Sequence, residues 1–258
     1  IISVGYKPTG IIYDPSNGYI YVAVAGCNKV AVINPSTNKV ICYIKVGSFP
    51  VGLTYDPSNG YIYVTDACSG EISVINPSDN KVVCTIQVGF HPVGIIYDPS
   101  NGYIYATDCA SGTICIINPS TNKLIESINI GLSSCASIYD PFNIIYDPSN
   151  GYIYVINCGH CSICVFNPST NKVICKIRVN GHLGGLTYDP SNGYIYVADY
   201  SCSAVCVINP STNKIIYKIP TCTTYGPLDI IYDPYNGYIY TTLYACYVVS
   251  VINPSTNT

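Results

Sequence analysis

The phrase Tyr-Asp-Pro-x-Asn-Gly-Tyr-Ile-Tyr recurs along the chain, beginning at Tyr13, Tyr55, Tyr97, Tyr146, Tyr188 and Tyr232. The successive spacings are 42, 42, 49, 42 and 44 residues. That period suits one four-stranded propeller blade per repeat and is too long for a single leucine-rich coil. The expected fold is all-β: a six-bladed β-propeller with four antiparallel strands per blade, residues 1–258 forming one domain.

The second repeat shows the unit. Val51–Tyr55 is expected as the inner strand, Tyr61–Val64 as the second, Ile72–Ile75 as the third and Val82–Ile86 as the outer one. Blades stack face to face, so inner strands are covered on both sides and need not alternate with charges. Two turns repeat almost unchanged. In Asp-Pro-Ser-Asn-Gly, Pro fixes one φ, Asp or Asn caps the turn and Gly supplies a positive φ; Asn-Pro-Ser-Thr-Asn does the same between strands three and four. Both constant turns fall on one rim, and the variable loops fall on the other. The last repeat stops at Asn253–Thr258 with no fourth strand. Ile1-Ile2-Ser3-Val4-Gly5 matches the outer-strand ending Ile44-Lys45-Val46-Gly47, so the amino terminus is expected to complete blade 6 and pair its open edge.

Composition narrows the partners. Charged residues make up 10% of the sequence and Tyr alone provides 27 positions, so Tyr, Ser, Thr and Asn must clothe the surface. With a net charge of −3 and no basic stripe, nucleic acid is not expected. No apolar run approaches the ~20 residues of a membrane span. The sequence begins at Ile1 and lacks Met, which fits a mature secreted form, and its 15 Cys without zinc-finger spacing point to an oxidising compartment or a hyperthermophile interior. The expected location is extracellular or at the cell surface.

Tyr63-Val64-Thr65-Asp66, followed by Val74-Ile75-Asn76-Pro77, resembles the YVTN family of β-propeller repeats of archaeal and bacterial surface-layer and secreted proteins. The resemblance extends over essentially the whole sequence. The fourth motif position holds Asp66, Asp108, Asn157 and Asp199 in blades 2 to 5 but Val24 and Leu243 in blades 1 and 6. The resemblance implies an extracytoplasmic surface structure or binder, and it carries no catalytic residues to transfer.

Cysteines mark the variable rim: Cys27, Cys68, Cys109, Cys158 with Cys161, Cys202 and Cys246 in loops between strands two and three, and Cys135 and Cys222 between blades. They are expected to form disulfides tying neighbouring loops. If the turn after strand three pairs Ile33 with Val40, the equivalent register in blade 4 sets Cys164 opposite Cys175, a cross-strand disulfide candidate. Cys42, Cys84, Cys115 and Cys206 read as small buried hydrophobes. Cys158-Gly159-His160-Cys161 has redox spacing but no helix to lower a thiol pKa.

His91, His160 and His182 lack metal-ligand spacing, and neither a metal nor a cofactor is expected. Asp14, Asp56, Asp98, Asp147, Asp189 and Asp233 belong to the constant turn and accept backbone hydrogen bonds. Asp66, Asp108 and Asp199 read as caps of the adjacent loop ahead of a cation site. The leading expectation is a non-enzymatic extracellular structural protein, a self-associating subunit of a cell-surface array or filament, or one that binds another surface protein. The alternative is a secreted binding module that holds a glycan, small ligand or protein partner with the Cys-rich rim and central channel, using the aromatic loop residues Phe49, Phe90, Tyr200, Tyr225 and Tyr244. An enzyme using a metal at the channel mouth is the third.

Overall fold

The computed structural model describes residues 1–130, 143–157, 160–221, 226–243 and 247–258. The six repeats form the six antiparallel sheets of a β-propeller, and they cluster into two compact units, Ile1–Ser134 and Cys135–Thr258. No described helix is long and apolar enough to cross a membrane.

The first unit holds three four-stranded blades. Blade 1 is β1 (Pro8–Asp14), β2 (Tyr19–Val24), β3 (Lys29–Asn34) and β4 (Lys39–Lys45). Blade 2 is β5 (Pro50–Asp56), β6 (Tyr61–Asp66), β7 (Glu71–Asn76) and β8 (Lys81–Gln87). Blade 3 is β9 (Pro92–Asp98), β10 (Tyr103–Asp108), β11 (Thr113–Asn118) and β12 (Lys123–Asn129).

In the second unit, blade 4 is β13 (Ile144–Asp147), β14 (Tyr152–Asn157), β15 (Ser162–Asn167) and β16 (Lys172–Arg178). Blade 5 is β17 (Leu183–Asp189), β18 (Tyr194–Asp199), β19 (Ala204–Asn209) and β20 (Lys214–Pro220). Blade 6 is β21 (Pro227–Tyr232), β22 (Ile239–Leu243) and β23 (Val248–Ile252). The sixth sheet thus takes three strands from its own repeat, as the missing fourth strand of that repeat requires.

Turn chemistry works as the sequence demands. Asp14 Oδ1 accepts the Ser16 amide and hydroxyl at 2.8 and 2.7 Å, and Gly18 sits at φ 75°. Asn38, Asn80, Asn122, Asn171, Asn213 and Asn257 close the second turn in the left-handed region.

In blades 1 to 5 the second and third strands are mostly buried on both faces, whereas most of β23 in blade 6 is exposed. Tyr21, Ala23, Val30 and Val32 of blade 1 pack with Leu53, Ile62, Val64 and Ile75 of blade 2, and the same cluster recurs between blades 2 and 3 and between blades 5 and 6. Inner strands approach one another through glycine. A Cβ on Gly10 would strike the Val51 carbonyl, one on Gly52 the Val93 carbonyl and one on Gly184 the Leu228 carbonyl. At the amino terminus, Ile2 and Val4 rest on Val22, Val24, Ala31 and Ile33, the places that Ile44 and Val46 hold on blade 2.

The outer strand carries a feature that repeat alignment alone does not reveal. In blades 1 to 5 the register against the third strand slips by one residue, leaving Ile41, Val83, Ile125, Ile174 and Ile216 as bulge residues. Each is 44–51% exposed. A bulge on an edge strand twists the edge away from further pairing.

A buried tyrosine latches blade 1 to blade 2, blade 2 to blade 3 and blade 4 to blade 5. Tyr21 and Tyr63 donate to Asn80 and Asn122 of the following blade at 3.3 and 2.8 Å, and Tyr154 donates to Asn213 at 3.2 Å. Asn17, Asn59 and Asn150 of the constant turn donate to the same phenol oxygens at 3.0 Å. Burial pushes the Tyr21 phenol up to about 12 and those of Tyr63 and Tyr154 higher still, so the latch stays protonated. Tyr63→Phe strands Asn122 Oδ1 and takes one of the acceptors from Asn59 Nδ2, and it should lower the unfolding free energy by about 1–3 kcal/mol in a denaturant titration. The fully exposed Tyr235 changed to Phe should move it by less than ~0.5 kcal/mol; equal effects would contradict the latch.

Candidate functional site

Two sets of polar residues stand out against the apolar repeat. The first lies where one blade's outer strand runs into the next blade's inner strand. Asp66, Asp108, Asn157 and Asp199 end their second strands fully buried. Asp108 accepts the Phe90 and His91 amides at 2.9 Å each and the Ala110 amide at 3.1 Å, clamping the entry to blade 3. Gly89 makes this contact feasible, because any Cβ there would collide with the Asp108 carboxylate. Gly181 stands in the same relation to Asp199, which accepts the Cys202 amide at 3.1 Å and lies 3.9 Å from Lys218 Nζ. These acids cap loops, and no group of three or more His, Cys, Asp or Glu among the described residues could hold a metal.

Asp66 differs from Asp108 because its neighbours have already spent their donors elsewhere. The Ser48 amide bonds to Ser69 Oγ and the Phe49 amide to Asn28 Oδ1, both at 3.0 Å. The Ser73 hydroxyl is the side-chain donor left for Asp66, at 2.6 Å, and Oδ1 is buried without a partner. Desolvation therefore pushes the Asp66 carboxyl up to about 7.

Three of the expected ligand aromatics are among the described residues. Phe49 is half-buried at φ 58° in the connection between blades 1 and 2, where its carbonyl accepts the Ala67 amide at 2.9 Å. Phe90 is 78% exposed, and half-buried Tyr200 donates its amide to the His182 carbonyl at 2.8 Å. Tyr225 and Tyr244 lie outside the described residues.

Cysteine expectations need correction, because no disulfide forms among the described residues, neither between the rim loops nor across strands. The bulge at Ile174 sets Cys164 opposite Lys176 and Cys175 opposite Val165, so the expected Cys164–Cys175 bridge does not form and both thiols are free. The register set by the turn holds only for the two pairs next to it. Cys27, Cys68 and Cys202 are exposed free thiols in the loops after the second strands, and Cys109 and Cys161 occupy the equivalent loops of blades 3 and 4. Cys135, Cys158, Cys222 and Cys246 lie outside the described residues. Burial pushes Cys164 up to about 11 and Cys206 up to about 12, which marks these strand thiols as inert packing groups.

The second polar set is one that the repeat pattern conceals. Three residues before each motif tyrosine stand Gly10, Gly52, Gly94, Asn143, Gly185 and Asp229. Asp229 is the only acid on an inner strand ahead of its turn. Its Oδ1 accepts the Ile230 amide at 2.9 Å and fills the space that a Cβ on Gly185 would take. Main-chain bonds fix it from both sides: its amide donates to Thr242 Oγ1 at 3.1 Å and its carbonyl accepts the Thr241 hydroxyl at 2.7 Å. One side of Asp229 is open to solvent and the other is pressed against blade 5, and this desolvation raises its carboxyl above the usual range. The signal was legible in the repeat alignment, as the one place where an acid replaces glycine.

No family model matches the sequence, and no curated protein matches it either. Solved structures match in fold. Hydrazine synthase of Kuenenia stuttgartiensis is similar at 18% identity over 98% of this chain and 78% of that one, with a TM-score of 0.84. Virginiamycin B lyase from Staphylococcus aureus is similar at 16% identity, over 95% of this chain and 83% of that one, TM-score 0.76. A 6-phosphogluconolactonase-like protein from Bacteroides uniformis is similar at 14% identity, over 97% and 82%, TM-score 0.78. At such identities the likeness is one of fold.

It overturns the expectation of a non-enzymatic array or filament subunit. That expectation treated repeated blades without a recurring catalytic set as a sign of a structural role. The same backbone carries enzymes, whose chemistry resides in side chains grafted onto it and need not repeat from blade to blade.

The contrast between Asp66 and Asp108 is testable by pH. Asp66 binds its proton more tightly folded than unfolded, so its contribution is complete below about pH 4 and is lost as pH rises through about 7. Over that window it should lower the unfolding free energy by up to about 1.4 kcal/mol per pH unit. Asp66→Asn should remove that slope, whereas Asp108→Asn should cost about 1.5–3 kcal/mol near neutrality by weakening charge-assisted bonds. Denaturant titrations at several pH values decide; an unchanged slope in Asp66→Asn would refute the assignment.

Proposed function

We propose that this protein is an enzymatic propeller that acts on a small molecule at the inner edge of its second unit, with Asp229 as the proton-transferring group. The observation that carries this reading is a single carboxyl replacing glycine on an inner strand, seated against Gly185 and raised by desolvation. A carboxyl raised by desolvation serves as general acid when protonated and as general base when ionised. The main-chain bonds through Thr241 and Thr242 keep its position fixed while its charge changes. Lyase and lactonase chemistry both need one proton moved at a carbon or oxygen of the substrate, and proteins of both kinds are among the fold's neighbours.

The YVTN-like motif and the cysteine content favour a place outside the cytoplasm for this enzyme. A carbohydrate-derived cyclic ester combines the lactone class with the glycan partner expected from the aromatic loop residues.

Screening a panel of lactones and elimination substrates by mass spectrometry tests the reading. For any substrate turned over, Asp229→Asn should reduce kcat by about 10²–10⁴-fold. Gly185→Ala, which displaces the carboxylate without removing it, should also lower kcat. Activity through the protonated form should fall as pH rises past the raised pKa. Full turnover by Asp229→Asn would refute the proposal.

A further inference from the structure

Each constant turn contains an Asn-Gly pair, the sequence in which asparagine most readily cyclises. In that reaction the glycine amide nitrogen attacks Asn Cγ. The bond from that nitrogen to Cγ forms, the bond from Cγ to Nδ2 breaks, and Nδ2 leaves as ammonia with the amide proton. Water then opens the succinimide to aspartate or isoaspartate. Cyclisation needs a free glycine N–H and an asparagine amide free to swing over it.

The structure engages both groups in hydrogen bonds in every repeat, and the repeats differ in how firmly the turn that carries those bonds is held. Gly18, Gly60, Gly102, Gly151, Gly193 and Gly237 donate their amides to the turn Asp carbonyl at 2.8–2.9 Å. Each asparagine accepts the amide of the tyrosine two residues on and donates Nδ2 to the phenol four residues on, as Asn59 does to Tyr61 and Tyr63 at 2.8 and 3.0 Å. In five repeats the turn is itself anchored: Ser16, Ser58, Ser100, Ser149 and Ser191 donate their hydroxyls to the Asp Oδ1 at 2.7 Å, and those aspartates are fully buried.

Blade 6 lacks that anchor. Tyr235 stands where the serine should be and is fully exposed, so Asp233 receives an amide at 2.8 Å but no hydroxyl. Asp233 is only half-buried. The regular ladder that runs to Asp14 and Tyr19 in blade 1 ends at Tyr232 and Ile239 in blade 6, where the Asp233 amide still donates to the Tyr238 carbonyl at 2.8 Å. We infer that Asn236 is a spontaneous modification site, the Asn-Gly pair at which this protein deamidates in its folded state. Conversion replaces the Nδ2 donor that Asn236 gives Tyr240 at 2.8 Å with a carboxylate oxygen, which loosens the start of β22.

Peptide mapping of the intact protein incubated in mildly alkaline buffer, beside a urea-unfolded sample, tests this. The unfolded sample should convert all six pairs at similar rates. The native protein should convert Asn236 about tenfold faster than any other, in line with one or two lost hydrogen bonds. Tyr235→Ser should bring Asn236 down to the rate of the other five. Any other pair keeping pace with Asn236 in the native protein, or Asn236 staying intact there while the unfolded sample reacts, would overturn the inference, as would an unfolded sample in which no pair reacts.

Discussion

The interaction on which each unit depends is the buried tyrosine of the second strand, which reaches out of its own blade into the next. A sheet that is apolar on both faces cannot stand alone in water, so each blade needs a neighbour on either side. Hydrophobic burial supplies the drive but little direction. The phenol bonds from Tyr21, Tyr63 and Tyr154 to a turn asparagine of the following blade add direction, because a blade shifted by one residue would strand a buried donor. The same tyrosine oxygen accepts from the asparagine of its own constant turn, so turn, strand and neighbouring blade are fixed by one group.

Glycine makes the inner edge tight enough for a side chain to matter there. Where Gly10, Gly52 and Gly184 bring inner strands together, backbone packs against backbone. At Asp229 a carboxylate takes up such a space instead, and it is desolvated by the closeness that glycine creates. In the function we propose, chemistry and architecture are coupled through Gly185: the repeat provides the gap and one departure from it places a carboxyl there.

Strand positions in the second repeat were legible within a residue or so, because apolar runs bounded by Asp-Pro-Ser-Asn-Gly and Asn-Pro-Ser-Thr-Asn leave few alternatives. The loop-capping role of Asp108 and Asp199 was legible for the same reason, whereas the Asp66 carboxylate accepts the Ser73 hydroxyl instead. The outer-strand bulge was not, since Ile174 is as apolar as its neighbours and nothing in the residue types says that it faces out; the Cys164–Cys175 pairing failed on that one residue. The functional reading failed differently. Attention to what recurs hides what occurs once, and Asp229 occurs once. The positive φ of Phe49 and the bond from its carbonyl to the Ala67 amide were not legible in the residue types either.

The most direct test of the account is the titration of the Asp229 carboxyl by carbon NMR in the folded protein. The account requires a pKa above that of an ordinary aspartate, together with a shift when Gly185 becomes Ala and the carboxylate is pushed out of its seat. An Asp229 that titrates as a solvated aspartate in both proteins would contradict it.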